Sequence, residues 1–410
     1  MSFTEHRQRL YETIPVNSLI ISYAGIPLHA NEDDYCAFEV NSQYFWLTGM
    51  EREGTAFVAY KSAEKVFETL FIEEPDEFNE RWTGKMPTKD EVRALSGVEN
   101  VQYVDALDGT ISRFMGRFRV EEVYFDLYRC QMEDLPDYNF VKAQAFMQAY
   151  PAIRVKDLHT AVAPLREEKD ADEVEKVRKA VNITRQGLEF VMKNLKPGMM
   201  EYQVQADFEY ACRRLGAKKQ AFPTIAGSGI NGCMMHYGTN HCEVKDGSLI
   251  LLDLGAKVEN YCSDITRTYP ANGKFSPRQR EVYELVLKAN RAVAAAAKPG
   301  ISTKDLNDIT KKILGEGLVE MGLIEKPEEV GKYYMHGVSH SIGIDVHDIT
   351  LAGDKLSPGW IISDEPGLYI DEEEIGIRIE DDLLITEDGC IVLSEDIIRD
   401  PDDIEAFMAQ

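Results

Sequence analysis

The chain has 410 residues, 44% hydrophobic and 28% charged, which fits a folded globular protein of more than one domain and excludes a disordered one. Lys+Arg number 45 against 71 Asp+Glu, a net charge of −26, so nucleic acid and anionic membranes are not expected partners. No run reaches the ~20 apolar residues of a membrane span. The opening MSFTEHRQRLYETIP has no apolar signal-peptide core. Seven cysteines without a C-x-x-C point to reduced thiols and a cytoplasmic location.

Residues 1–163 read as a mixed α/β domain. A charged helix runs from Thr4 to Thr13. Short apolar strands follow at Ser18–Ser22, Thr55–Tyr60 and Glu122–Leu127, with helices at Thr88–Leu95 and Tyr138–Tyr150. The charge-rich stretch LREEKDADEVEKVRKA, Leu165 to Ala180, opens a helical run that places Val174, Val177, Val181 and Leu188 on one face. The domain junction is set just before it, and residues 164–410 form the second domain.

That second domain contains a repeat. Lys196-Pro197-Gly198 recurs 102 residues later as Lys298-Pro299-Gly300. Each tripeptide lies between two amphipathic runs, Val181–Leu195 and Glu201–Leu215 in one half, Tyr283–Ala297 and Thr303–Met321 in the other. Pro and Gly cannot continue a helix, so each half reads helix, stop, helix. Strand-like sequence follows each pair: SLILLDLGAKVENYCSDITRTY, breaking around Gly255–Asn260, and then WIISDEPGLYI and IGIRIEDDLLIT. In the last, Ile375, Ile377 and Ile379 share one face of a strand and Arg378 and Glu380 the other. The acidic tail, Glu387 to Glu405, reads as solvated surface.

Asp253 ends the apolar run Leu249–Leu252, where an unpaired charge is costly. Asp264 lies across the presumed hairpin. Turn acids on a wet edge would give the same spacing, but the second half repeats it with Glu365 before Pro366-Gly367 and Glu380 beyond. Pseudo-symmetry then faces one acid pair with the other, and like charges side by side require a cation or a shared proton. Five of the eight histidines fall between 236 and 347. HGVSHSIGIDVHD holds His336, His340 and His347, and His236 precedes His340 by nearly the repeat offset. Carboxylates with one imidazole suit two hard or borderline ions, Mn²⁺ first, then Co²⁺, Fe²⁺ or Zn²⁺. A thiolate site is the weaker choice, although Cys262 is only two residues from Asp264. Two ions sharing a water are equipped for hydrolysis.

The residues LLDLGA, YCSDITRT, HGVSHSIGIDVHD, EPGLYI and GIRIEDD resemble the pita-bread metallopeptidases, the superfamily of methionine aminopeptidase, Xaa-Pro aminopeptidase, prolidase and creatinase. The stretch NEDDYCAFEVNSQYFWLTG, Asn31 to Gly49, is similar to the N-terminal domain of Xaa-Pro aminopeptidases and bacterial prolidases. The resemblance implies an α/β (α+β) chain: a smaller creatinase-type N-terminal domain before a pita-bread catalytic domain with an internal pseudo-twofold repeat. It implies five metal ligands, Asp253, Asp264, His340, Glu365 and Glu380. His236, His336 and His347 would line the substrate side, with His236 and His347 steadying the scissile carbonyl. Glu365 would double as general base. Tyr369 and Arg378 would border a proline pocket, although Arg378 reads equally as a salt bridge to the metal carboxylates.

Trp82, in ERWTGK, reads first as a core residue. By resemblance it would instead reach the site of a neighbouring subunit, which makes a homodimer the default assembly. The implied activity is Xaa-Pro aminopeptidase, acting on short proline-containing peptides. The alternatives are an Xaa-Pro dipeptidase, a non-catalytic pita-bread binding protein and, more distantly, creatinase-type C–N hydrolysis. The segment DITLAGDKLSPGWIIS carries Lys355 but no arginine to hold a dipeptide carboxylate, which favours the aminopeptidase. Ser363 stands where Thr is common and keeps the hydroxyl.

Overall fold

The computed structural model describes residues 2–351 and 355–410. The chain divides into two units, Met1–Leu165 and Arg166–Gln410.

The first unit is built on a six-stranded mixed sheet. Its spatial order is Val101–Tyr103, Val66–Ile72, Ala56–Lys61, Ser18–Tyr23, Glu122–Phe125, Arg154–Asp157. Ser18–Tyr23 is buried on both faces and sits centrally, antiparallel to Ala56–Lys61 and parallel to Glu122–Phe125. Leu19, Ile21, Tyr23, Val58, Val123 and Phe125 pack against Ile111, Phe114 and Phe146 of the helices Leu107–Arg117 and Tyr138–Ala149. The strands Val66–Ile72, Val101–Tyr103 and Arg154–Asp157 and the helices Ser42–Thr48, Glu77–Thr83 and Leu107–Arg117 add to the elements read from sequence.

In the second unit each half has its helix pair, broken at the Lys-Pro-Gly tripeptides: Ala171–Asn194 with Glu201–Arg214, and Pro277–Ala296 with Thr303–Glu320. The stretch Leu165–Ala180 is not one helix. A helix ends at Glu167, and Asp170 caps a new one by accepting the amides of Asp172 and Glu173. Leu249–Leu254 pairs antiparallel with Ile265–Pro270, Asp253 opposite Thr266. Between them the small hairpin Ala256–Val258 and Tyr261–Cys262 turns on Glu259 and Asn260, both at positive φ, as a tight two-residue turn requires. Gly255 lets this hairpin fold back, since a Cβ there would sit 1.9 Å from the Ser263 carbonyl oxygen.

In the second half both strand runs break where an acid stands. Ile361–Asp364 stops before Glu365-Pro366 and Gly367–Ile370 resumes; Ile375–Arg378 stops before Glu380 and Asp381–Ile385 resumes. Ile361–Asp364 pairs with Asp381–Ile385, and Gly367–Ile370 with Ile375–Arg378. The strand around Ile377 is buried on both faces. The two halves meet in direct backbone contact: a Cβ on Gly376 would lie 2.1 Å from the Gly232 carbonyl oxygen.

The acidic tail departs from expectation. Ser394, Ile397 and Ile404 are buried and Pro401–Met408 is a helix, so part of that segment is core. No helix among the described residues is long and apolar enough to cross a membrane. All seven cysteines are free thiols.

Candidate metal centre

The five proposed ligands come together at one cavity of about 550 Å³. Its lining includes Asp253, Asp264, His340, Glu365 and Glu380 together with His236, His336, His347 and Arg378. His340 Nε2 lies 3.3 Å from Asp264 Oδ2 and 3.7 Å from Glu365 Oε1. Ligand atoms of Asp264, His340 and Glu380 all fall within 4.8 Å of one another. His340 Nδ1 faces the Ser341 carbonyl at 3.1 Å, which leaves Nε2 as the lone-pair nitrogen toward the acids. Ser363 fixes this segment by accepting the His340 amide at 2.9 Å, and its hydroxyl leans on Glu365 at 3.4 Å.

These acids are short of positive charge. Burial first, then repulsion from Glu380 and Asp253, drives Asp264 well above the carboxylate range. Burial, Glu365 and Asp253 do the same to Glu380 against the pull of Arg378. Glu365 is pushed up to about 7, mainly by burial. Oδ1 of Asp253 and Oδ1 of Asp264 are buried without a hydrogen-bond partner. Buried acceptors are rarely left so, and cations among them would satisfy both the orphaned oxygens and the crowded charge. The donor set therefore fits divalent metal. Cys262 does not join it. Its thiol donates to the Ile344 carbonyl, and burial lifts it to about 12.

The other residues surround this cluster. Arg378 pairs with Asp253 Oδ2 at 2.5 Å, contacts Tyr369 Oη at 2.9 Å and reaches Thr266 Oγ1 at 3.0 Å. Thr266 in turn donates to Glu380 Oε2 at 2.6 Å. Arg378 is thus both a salt bridge to the acids and a wall of the cavity. His336 Nε2 meets Tyr369 Oη at 2.7 Å, and His336 Nδ1 lies 3.9 Å from Glu365. Tyr369 is buried behind these two side chains and reaches the cavity through them. The His347 ring stacks on His340 at 3.9 Å, and His236 lines the cavity together with the apolar Phe222, Pro223, Ile225 and Met235. Burial holds His336 and His340 down to about 4 and lowers His347, so these imidazoles are neutral at pH 7.

Sequence reasoning missed Thr266, which relays Arg378 to Glu380. Its signal was position: two residues after Asp264, entering the strand that pairs with Asp253. Trp82 is not a core residue. It is 77% exposed on Glu77–Thr83, a helix with no buried residue, and Phe78 lies 6.3 Å away. Lys355 is exposed and absent from the described cavity lining. Residues 352–354 of its segment lie outside the described ones.

The family model for metallopeptidase family M24 matches residues 175–387, more than half of the chain and all of the cluster. The chain belongs to the Xaa-Pro aminopeptidase family of M24 metallopeptidases. The model for the aminopeptidase P N-terminal domain matches residues 3–124. The Xaa-Pro aminopeptidase of Escherichia coli (strain K12) is 31% identical, across 99% of this chain and 97% of that protein. A provisionally assigned aminopeptidase P from Bacillus anthracis superposes with a TM-score of 0.97 at 39% identity, over 99% of this chain and 97% of that one. E. coli aminopeptidase P with the inhibitor Pro-Leu superposes with a TM-score of 0.89 at 30% identity, over 100% of this chain and 98% of that one. The mixed α/β architecture, an N-terminal domain before an M24 pita-bread domain, is that of this family.

Proposed function

We propose that the chain is a metal-dependent Xaa-Pro aminopeptidase that removes an N-terminal residue when proline is second. The reading rests above all on the convergence of Asp253, Asp264, His340, Glu365 and Glu380 in one cavity, with buried oxygens of Asp253 and Asp264 that have no hydrogen-bond partner. Two divalent ions, Mn²⁺ in first place, would supply Lewis acidity for the carbonyl and a water of lowered pKa. Glu365 then takes a proton from the attacking water and returns it to the proline nitrogen as the C–N bond breaks. His236 and His347 steady the carbonyl oxygen while charge develops on it. His336, Arg378 and, behind them, Tyr369 shape the side that receives proline. The products are a free amino acid and a peptide beginning with proline.

Aminopeptidase is preferred over dipeptidase because the described lining offers no lysine and no arginine besides Arg378, and Arg378 is already paired with Asp253. The relative seen with Pro-Leu, a ligand with a residue beyond proline, supports the same choice. Exposed Trp82 favours a homodimer in which it meets the partner's site; a monomer in sedimentation would remove that part of the reading.

One competition assay tests the whole. Mn²⁺-loaded protein is offered Arg-Pro-Pro and Ala-Pro together, with EDTA controls. Faster cleavage of the tripeptide, abolished by EDTA, is expected. Preference for the dipeptide would make the protein a prolidase. Silence on both with metal bound would refute proline-directed hydrolysis.

A further inference from the structure

Behind the cavity wall that carries His236 lies a fully buried acid that the reaction does not touch. Glu201 is the first residue of the helix Glu201–Arg214 and is 0% exposed. Five donors converge on its carboxylate. Oε1 accepts from the Ser228 amide at 2.8 Å, the Ser228 hydroxyl at 2.8 Å and Asn231 Nδ2 at 3.0 Å. Oε2 accepts from Tyr237 Oη at 2.8 Å and the Cys242 amide at 2.9 Å. One turn along, Gln205 Oε1 accepts from Asn240 Nδ2 at 2.9 Å, and Asn240 ties back to Thr224 and Ala226.

The donors lie on both sides of His236 in the chain, and Tyr237 is its neighbour. Segment 228–242 is otherwise irregular, with only a short 3₁₀ turn at Gly229–Cys233. Such a segment is mobile by default. Here both its arms are fastened to one rigid helix end, and Met235, His236 and Gly238 are thereby presented to the cavity. The repeat sharpens the point: 102 residues on, the position is Thr303, so the acid serves this segment and not the helix pair in general.

We propose that Glu201 is a positioning residue for peptide hydrolysis, acting through His236, which it holds in the cavity lining by clamping both arms of segment 228–242. This rests on the aminopeptidase reading for its kinetic arm only.

The test is Glu201→Gln in the full chain. The amide loses acceptor capacity and turns a donor toward donors. Hydrogen exchange by mass spectrometry should show faster exchange in 228–242 and unchanged protection in Leu249–Leu254. Bound Mn²⁺ should be unchanged. Turnover of Arg-Pro-Pro should fall by roughly 100-fold, the scale of a misplaced catalytic group, with KM moving far less. In a His236→Ala background, Glu201→Gln should add less than about threefold, because the group it positions is gone. If Glu201→Gln does not fold, Tyr237→Phe removes a single donor and should show the same pattern in weaker form. The proposal is overturned if exchange in 228–242 is unaltered, if metal is lost, or if the two substitutions multiply in full. Should the wild-type protein prove inactive on proline peptides, the aminopeptidase reading fails, and the exchange result alone decides the role of Glu201.

Discussion

Glu380 and Asp381 are chain neighbours, equally buried, and treated in opposite ways. Asp381 receives Arg267 at 2.7 Å, Arg399 at 2.6 Å, Ser394 at 2.7 Å and Asn290 at 3.1 Å. Burial pushes its carboxyl up, but Arg267 and Arg399 outweigh that and hold it at about 2. Glu380 receives the Thr266 hydroxyl, and Arg378, whose charge acts on its carboxyl, is committed to Asp253. Burying an acid is expensive in either case. At one position the fold supplies the compensating charge from its own side chains, including Arg399 from the tail. At the next it withholds that charge, and the carboxylate is left suited to a cation. The difference separates a structural acid from a ligand more sharply than burial does.

The widest separation should come from Glu380→Gln. Loss of an outer partner of a metal ligand costs 10–100-fold, so loss of a ligand should weaken metal binding by more than about 100-fold. Chelator competition measures this, and activity on Arg-Pro-Pro should fall with it. Asp381→Ala should do the reverse. It strands two guanidiniums and should destabilise the fold by about 3–5 kcal/mol in urea unfolding, while the folded fraction still binds metal. An Asp381 variant that loses metal at unchanged stability would break the comparison.

Asp126, in the first unit, supplies an intermediate case. It is buried, accepts from Asn41 at 2.6 Å and the Tyr128 amide at 3.3 Å, and no guanidinium is among these donors. Burial, aided by repulsion from Asp157 and Asp137, raises it from an ordinary 3.8 to about 6 against the hydrogen bonds from Asn41 and Tyr128. Its folded value exceeds its unfolded one, so its contribution is complete below about pH 3.8 and is lost as pH rises through about 6. The loss approaches about 3 kcal/mol at most. Asp126→Asn should flatten that slope between about pH 4 and pH 7 in urea melts; an unchanged slope would show that the acid is solvated.

The ligand set was legible because the acids stand at or beside strand ends, with Gly255 two residues after Asp253 and Pro366-Gly367 directly after Glu365, and because the halves repeat. Elements lacking an apolar rhythm were not. Glu77–Thr83 buries nothing, so no periodicity announced it, and Trp82 was read as core. Gly109 and Gly116 disguised the helix Leu107–Arg117. Charge continuity hid the cap at Asp170. In the tail, acid content masked Ile397 and Ile404. Glu201 and Thr266 escaped for another reason. Their importance lies in partners 27 to 114 residues away, which no local pattern displays.

The contact of Gly376 with Gly232 has one more consequence. With no side chain on either residue, the two halves of the catalytic unit abut peptide against peptide. A side chain can change rotamer; a peptide plane is stiff. The distance between the acid pair of one half and that of the other is therefore gauged against a rigid shim. Any residue larger than glycine at position 376 would push the acid pair of one half away from that of the other.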